Sequence, residues 1–175
     1  ENLCRIVSKG FVDGFYYKPR VDIDELKKYS DGIIALSACL AGDISQALMD
    51  RNYEKAKNIA LQYRDIFGEG NFYLEIQDHG LPEQKEVNAA LVKLSKEINI
   101  PLVATNDIHY VNKEDSKIHD VLMCIQMGKT VNDPNRMRFG SDEFYLKSRE
   151  EMEELFPYAP EAIDNTVKIA EMCNI

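Results

Sequence analysis

Pro101–Tyr110, PLVATNDIHY, is the stretch whose reading decides the fold. Leu102, Val103 and Ala104 form a short continuous apolar run opened by a proline, the pattern of a strand buried on both faces. The run gives way at once to Thr105, Asn106, Asp107 and His109, so any chemistry sits where the strand ends. In extended backbone Asp107 and His109 leave the same face, with Ile108 turned away. A carboxylate and an imidazole aimed into one space make half of a metal site, or a base with its orienting partner. The alternative is that Asp107 caps the next helix and His109 is an ordinary hydrogen-bonded residue.

Two earlier stretches repeat the arrangement. FYLEI at Phe72–Ile76 reads as a strand from its aromatic and branched residues, and Gln77, Asp78, His79 and Gly80 follow directly. Ile33–Leu36 reads as another strand and runs into Ser37, Ala38, Cys39, Leu40, Ala41 and Gly42, small residues that let backbone come close. Cys39 there is either a thiolate ligand or a small buried residue.

Helices alternate with these strands. Apolar spacing predicts one over Leu3–Val12, stopped before Gly14, one from Asp22 to Tyr29 with Glu25 completing a capping-box pattern, and a short one at Ile44–Met49. Longer ones span Tyr53–Phe67, capped by Asn52, and Pro82–Ile98 with Val87, Leu91 and Leu94 on one stripe. After PLVATNDIHY, Lys113–Met127 is predicted helical with Ile118, Val121, Leu122 and Ile125 facing inward, and His119 as a structural or surface residue. Phe144–Leu146 is a short strand candidate, Ser148 with Glu151 a capping box, and Pro160–Cys173 a last amphipathic helix. Strand alternating with helix is the pattern of an α/β fold with parallel strands and flanking helices, whose sites form at the carboxyl ends of the strands.

Basic residues offer two further candidates. Lys18 and Arg20 straddle Pro19 beside three aromatics and could hold a phosphate, or form a solvated basic turn. Arg136 and Arg138 lie in a turn-rich loop and read as solvated charge, with phosphate or interdomain contact as the other reading.

The totals bound these readings. A chain of 175 residues, 45% hydrophobic and 29% charged, supports a substantial core. Its net charge of −9 repels nucleic acid at long range, so contact with DNA must be local or come from another region. No apolar run is of membrane-spanning length and the first residues lack a signal peptide's apolar core, which predicts a cytoplasmic protein with no membrane contact. The four cysteines form no CxxC pair, so neither zinc ribbon nor disulfide framework is expected, and Cys4, Cys124 and Cys173 read as small core residues.

Six segments together, GFYYKPRVD, ALSACLAGDI, FYLEIQDHGLPEQKEVN, PLVATNDIHY, DPNRMRF and FPYAPEAIDNTVKIAEMCNI, resemble the later half of the PHP (polymerase and histidinol phosphatase) domain of bacterial replicative polymerase alpha subunits. The resemblance covers nearly the whole chain. It implies an incomplete, distorted β/α barrel, the whole domain having seven strands with nine residues gathering up to three divalent metal ions at one mouth. Cys39 matches the ligand after a middle strand, and Asp107 with His109 the final Asp-x-His motif. His79, outside that ligand pattern, would orient substrate or donate a proton, or be structural.

Zinc is the implied metal, with manganese or magnesium as alternatives. The opening His-x-His motif is missing, so three ligands of nine predict weak or absent metal binding and no full activity for this stretch alone. The implied activity is a metal-dependent phosphoesterase or 3′-5′ exonuclease site within a DNA-directed DNA polymerase. The alternatives are a non-catalytic scaffold and a free-standing phosphoesterase. Residues 1–140 would be the PHP part and 141–175 a helical lead into the polymerase palm. Implied partners are the rest of the subunit, the proofreading exonuclease, the sliding clamp and, through the parent protein, DNA.

Overall fold

A parallel pairing of Ala35 with Phe72 and Leu36 with Tyr73 starts the sheet, flanked by hydrogen bonds from Ala35 N to Asn71 O (2.8 Å) and Ser37 N to Tyr73 O (3.0 Å). The computed structural model describes residues 1–174. Along them run α1 (Asn2–Val12), α2 (Ile23–Lys28), β1 (Ala35–Leu36), α3 (Asp43–Met49), α4 (Tyr53–Phe67), β2 (Phe72–Ile76), α5 (Pro82–Ile98) and β3 (Leu102–Ala104). A 3-10 turn at Lys113–Asp115 leads into α6 (Ser116–Gln126), followed by α7 (Arg149–Leu155) and α8 (Pro160–Met172). The strands form one sheet in the order β1-β2-β3. It is open and unclosed, consistent with the incomplete barrel that the sequence resemblance implies. Among the described residues no helix is long and apolar enough to cross a membrane.

The chain divides into two units, one of Glu1–Leu74 with Lys93–Pro101, the other of Glu75–Val92 with the residues from Leu102 onward. In the first, α3 packs on α4, and Tyr63 Oη donates to Asp43 Oδ2 across that hairpin (3.1 Å). Asn52 caps α4 by accepting from Lys55 N (3.1 Å) and Asp22 caps α2 by accepting from Glu25 N (2.9 Å), as the sequence predicts. Ile44, Ala56, Ala60, Phe72, Leu74 and Leu94 form the buried interior. In the second unit α8 packs against β3, where buried Asn165 donates to Leu102 O (2.7 Å). Leu91, Val103, Phe156, Ala162 and Ile163 are buried there. Ser148 and Glu151 form the predicted capping box of α7.

Four expectations need correction. The stripe Ile118, Val121, Leu122 and Ile125 of α6 is exposed, at 61%, 44%, 58% and 71%. Period-3.6 spacing shows which residues share a face but not what covers it. On α6 the buried residue is Cys124; Cys4 and Cys173, read as core residues for the same reason, are exposed. The strand predicted at Ile33–Leu36 shortens to its last two residues, and Phe144–Leu146 contributes one parallel bridge, Tyr110 with Tyr145. Arg136 is not solvated: its side chain is 2% exposed and forks onto the Asp120 carboxylate, with Nη2 to Oδ2 at 2.6 Å.

Candidate functional site

In the first unit, the turn after β1 is built by close backbone approach. Gly42 N donates to Cys39 O (2.9 Å), and a Cβ on Gly42 would lie 2.4 Å from Ser37 O, so this position excludes every larger residue. Ala38 takes φ +65°, which turns the chain so that Cys39 emerges exposed with a free thiol. The small residues of this stretch therefore serve the turn itself. Lys18 and Arg20 also lie in this unit and are exposed, with the Arg20 guanidinium over the Tyr16 ring at 5.4 Å.

In the second unit, the ends of β2 and β3 carry His79, Asp107 and His109. Asp107 is not extended: its φ of +43° is left-handed, a conformation that Asp tolerates better than most residues. The two side chains nevertheless converge. His109 Nδ1 lies 2.7 Å from Asp107 O and 3.9 Å from Asp107 Oδ1. A carbonyl oxygen only accepts, so Nδ1 carries the proton and Nε2 keeps a free lone pair, the tautomer in which an imidazole binds a metal through Nε2. The Asp107 side chain is 46% exposed and that of His109 32%, so both remain accessible. This donor pair fits a divalent cation, although among the described residues no group of three or more His, Cys, Asp or Glu is placed to hold one. Cys39 belongs to the first unit and this pair to the second.

Segment 143–146 fixes the Asp-x-His turn from outside. His109 N donates to Phe144 O (2.8 Å) and Leu146 N to Tyr110 O (3.1 Å), while Asn106 Nδ2 reaches Tyr145 O (2.6 Å) and Glu143 O (3.1 Å). The carbonyls of a segment distant in sequence thus complete what β3 begins.

His79 has a different role from an exposed acid. It is 1% exposed, its Nε2 donates to Asn106 O (2.9 Å), and its Nδ1 accepts from Gln84 Nε2 (2.8 Å). Gln84 Oε1 in turn accepts from His79 N (2.8 Å), so both ring nitrogens are satisfied in one neutral tautomer. Burial pushes the pKa of His79 below its ordinary value, against the opposing pull of the Asn106 carbonyl and Asp107. Its ring stacks on Phe144 with centroids 3.9 Å apart and planes 14° apart.

A stability prediction follows from that depressed pKa. As pH falls below about 6.5 the unfolded chain takes up a proton at this position that the folded chain refuses, so stability falls from there down to the folded pKa. Urea midpoints measured from pH 7 to pH 5 should drop, and His79→Gln should flatten the slope above the range where carboxylates titrate.

Phe144, Phe139 and His119 were not foreseen as neighbours of His109. Their rings stand edge-to-face around it, with centroids at 5.6, 4.8 and 5.2 Å. Nothing local in the sequence marks those contacts. Gln84 could have been found: it sits at the start of α5, placed to reach back to His79 before the helix.

The PHP domain family matches residues 1–79. Along its whole length the chain is 48% identical to a segment of the DNA polymerase III subunit alpha of Treponema pallidum, over 175 residues that make up 15% of that protein. The proteins of the same name from Borreliella burgdorferi (48% over 174 residues, 99% of this chain and 15% of that one) and Thermus aquaticus (45% over 178 residues, 100% and 14%) are similar to it in the same way. The chain therefore spans about 15% of the length of these relatives.

Proposed function

We propose, from the match of residues 1–79 to the PHP domain family and the similarity of the whole chain to a segment of bacterial DNA polymerase III alpha subunits, that it works as part of the PHP region of such a replicative DNA-directed DNA polymerase. Residues 1–140 form the PHP part and 141–175 the helical lead into the palm; Ile175 lies outside the described residues. Asp107 and His109 act as ligands of a divalent metal and Cys39, in the first unit, as a metal-binding thiol, zinc being the proposed ion with manganese or magnesium as alternatives. The observation that carries this reading is the His109 tautomer: Nδ1 is committed to the Asp107 carbonyl, which leaves Nε2 and the neighbouring carboxylate as donors.

A bound ion would supply Lewis-acid polarisation of a phosphodiester and a hydroxide nucleophile near neutral pH. The chain's own residues do the rest. Asp107 and His109 set the donor geometry, and the buried pair His79 and Gln84 holds Phe144 behind His109. With both nitrogens bonded, His79 serves by positioning rather than by proton donation. Lys18 and Arg20 are phosphate contacts. DNA reaches the site through the remainder of the subunit, since a net charge of −9 gives this part no attraction of its own. The other partners are the proofreading exonuclease and the sliding clamp, in the cytoplasm.

The test is metal content and nuclease activity of the full-length protein. We expect zinc by elemental analysis, and degradation of a mismatched 3′ end that chelation abolishes and metal restores. A metal-free full-length protein whose nuclease activity ignores chelators would instead make this region a scaffold for the polymerase and its proofreading partner.

A further inference from the structure

We infer that His119, on α6, is a positioning residue that fixes the plane of the His109 imidazole; for its relevance to metal this rests on the site proposed above. The χ2 torsion of histidine is a broad, nearly two-fold sp3–sp2 rotation, so the side chain's own preferences do not aim its ring. A hydrogen bond at Nδ1 restrains one atom and leaves the plane free to tilt about it. Three rings supply the missing restraint. His119, Phe139 and Phe144 meet the His109 ring at interplanar angles of 65°, 78° and 89°. Edge-to-face contacts from three sides leave one ring orientation.

The walls also hold one another. His119 contacts Phe139 at 4.9 Å and Phe139 contacts Phe144 at 4.6 Å, so the box is closed apart from its open side. Phe144 is backed by the locked His79 ring. Phe139 comes from the loop after α6, and that loop is fastened by Arg136, whose guanidinium forks onto Asp120 and also donates to Val131 O (3.3 Å). Two consecutive residues of α6 thus act together: His119 touches the ligand ring and Asp120 anchors the segment that brings Phe139 to it.

These 175 residues hold three histidines, so 15N-histidine NMR of this chain resolves each ring. At pH 8 the wild type should show His109 as the pure Nδ1–H tautomer and His79 as Nε2–H. His119→Ala should turn the His109 pattern into a tautomer mixture and weaken zinc binding, followed as the shift of His109 Nε2 on titration with zinc chloride, by tenfold or more. His119→Phe, which keeps the wall without a ring nitrogen, should restore both. Should His119→Ala fail to fold, Phe139→Leu removes a different wall and carries the same expectations.

An unchanged His109 tautomer and zinc response in a folded His119→Ala or Phe139→Leu protein would overturn the inference, as would a His119→Phe protein no better than His119→Ala. Loss of the tautomer in His119→Ala without any zinc response in the wild type would uphold the positioning role, and the metal content of the full-length protein would then decide the proposed function.

Discussion

His109→Ala in the full-length protein is expected to lower zinc affinity of the PHP region by more than about 100-fold, since even the partners of a metal-bound imidazole cost 10–100-fold when removed. Metal-dependent nuclease activity should fall with it, and nucleotide incorporation should not change. Asp107→Asn should follow the same direction with a smaller loss, because the amide keeps an oxygen donor but not the charge. Both variants should fold: the residues are part-exposed, and the contact that sets the turn, from His109 N to Phe144 O, is made by backbone. Zinc per chain by elemental analysis, and degradation of a 3′-mismatched primer, are the measurements. Full zinc content in His109→Ala would show that His109 is not a ligand.

Phe144→Ala should give the largest loss of stability of any single change near the site. Phe144 is 9% exposed and meets the rings of His79, His109 and Phe139. Truncating a buried phenylalanine costs about 3–5 kcal/mol, a large share of the roughly 5–15 kcal/mol that holds a typical domain folded. Phe144→Leu keeps most of the volume and should cost only about 1 kcal/mol. The bonds from His109 N and the Asn106 side chain to backbone carbonyls survive both changes, so the difference between the variants isolates the ring. Urea unfolding curves measure the two values. The site should respond as well: without the phenyl ring the wall behind His109 is gone, and zinc affinity should drop in Phe144→Ala further than in Phe144→Leu.

Much of this was legible before any coordinates. β2 and α4 run between the predicted residues, and α5 likewise, because long periodic segments bounded by Asn52, Gly68 and Pro82 state their own ends. The Asp-x-His turn was located, though for an incomplete reason: extended alternation put the two side chains on one face, whereas a left-handed residue and a carbonyl contact bring them together. What stayed hidden was set by distant partners. The stripe on α6 reads as core because apolar periodicity is the same whether or not the face is covered. His119 looked like a surface residue because its neighbours were acidic and basic, and its contacts with His109 and Phe139 join segments with no local signature. Arg136 looked solvated for the same reason, since its carboxylate partner lies 16 positions away.

The left-handed backbone at Asp107 narrows what this position can become. Asparagine enters that region at least as easily as aspartate, whereas β-branched residues do so only with strain. The isosteric replacement by asparagine therefore separates charge from shape here without adding backbone strain. Random substitution at codon 107 should accordingly sort by tolerance of positive φ in folding screens, and by charge in metal screens, two rankings that agree only for the native residue.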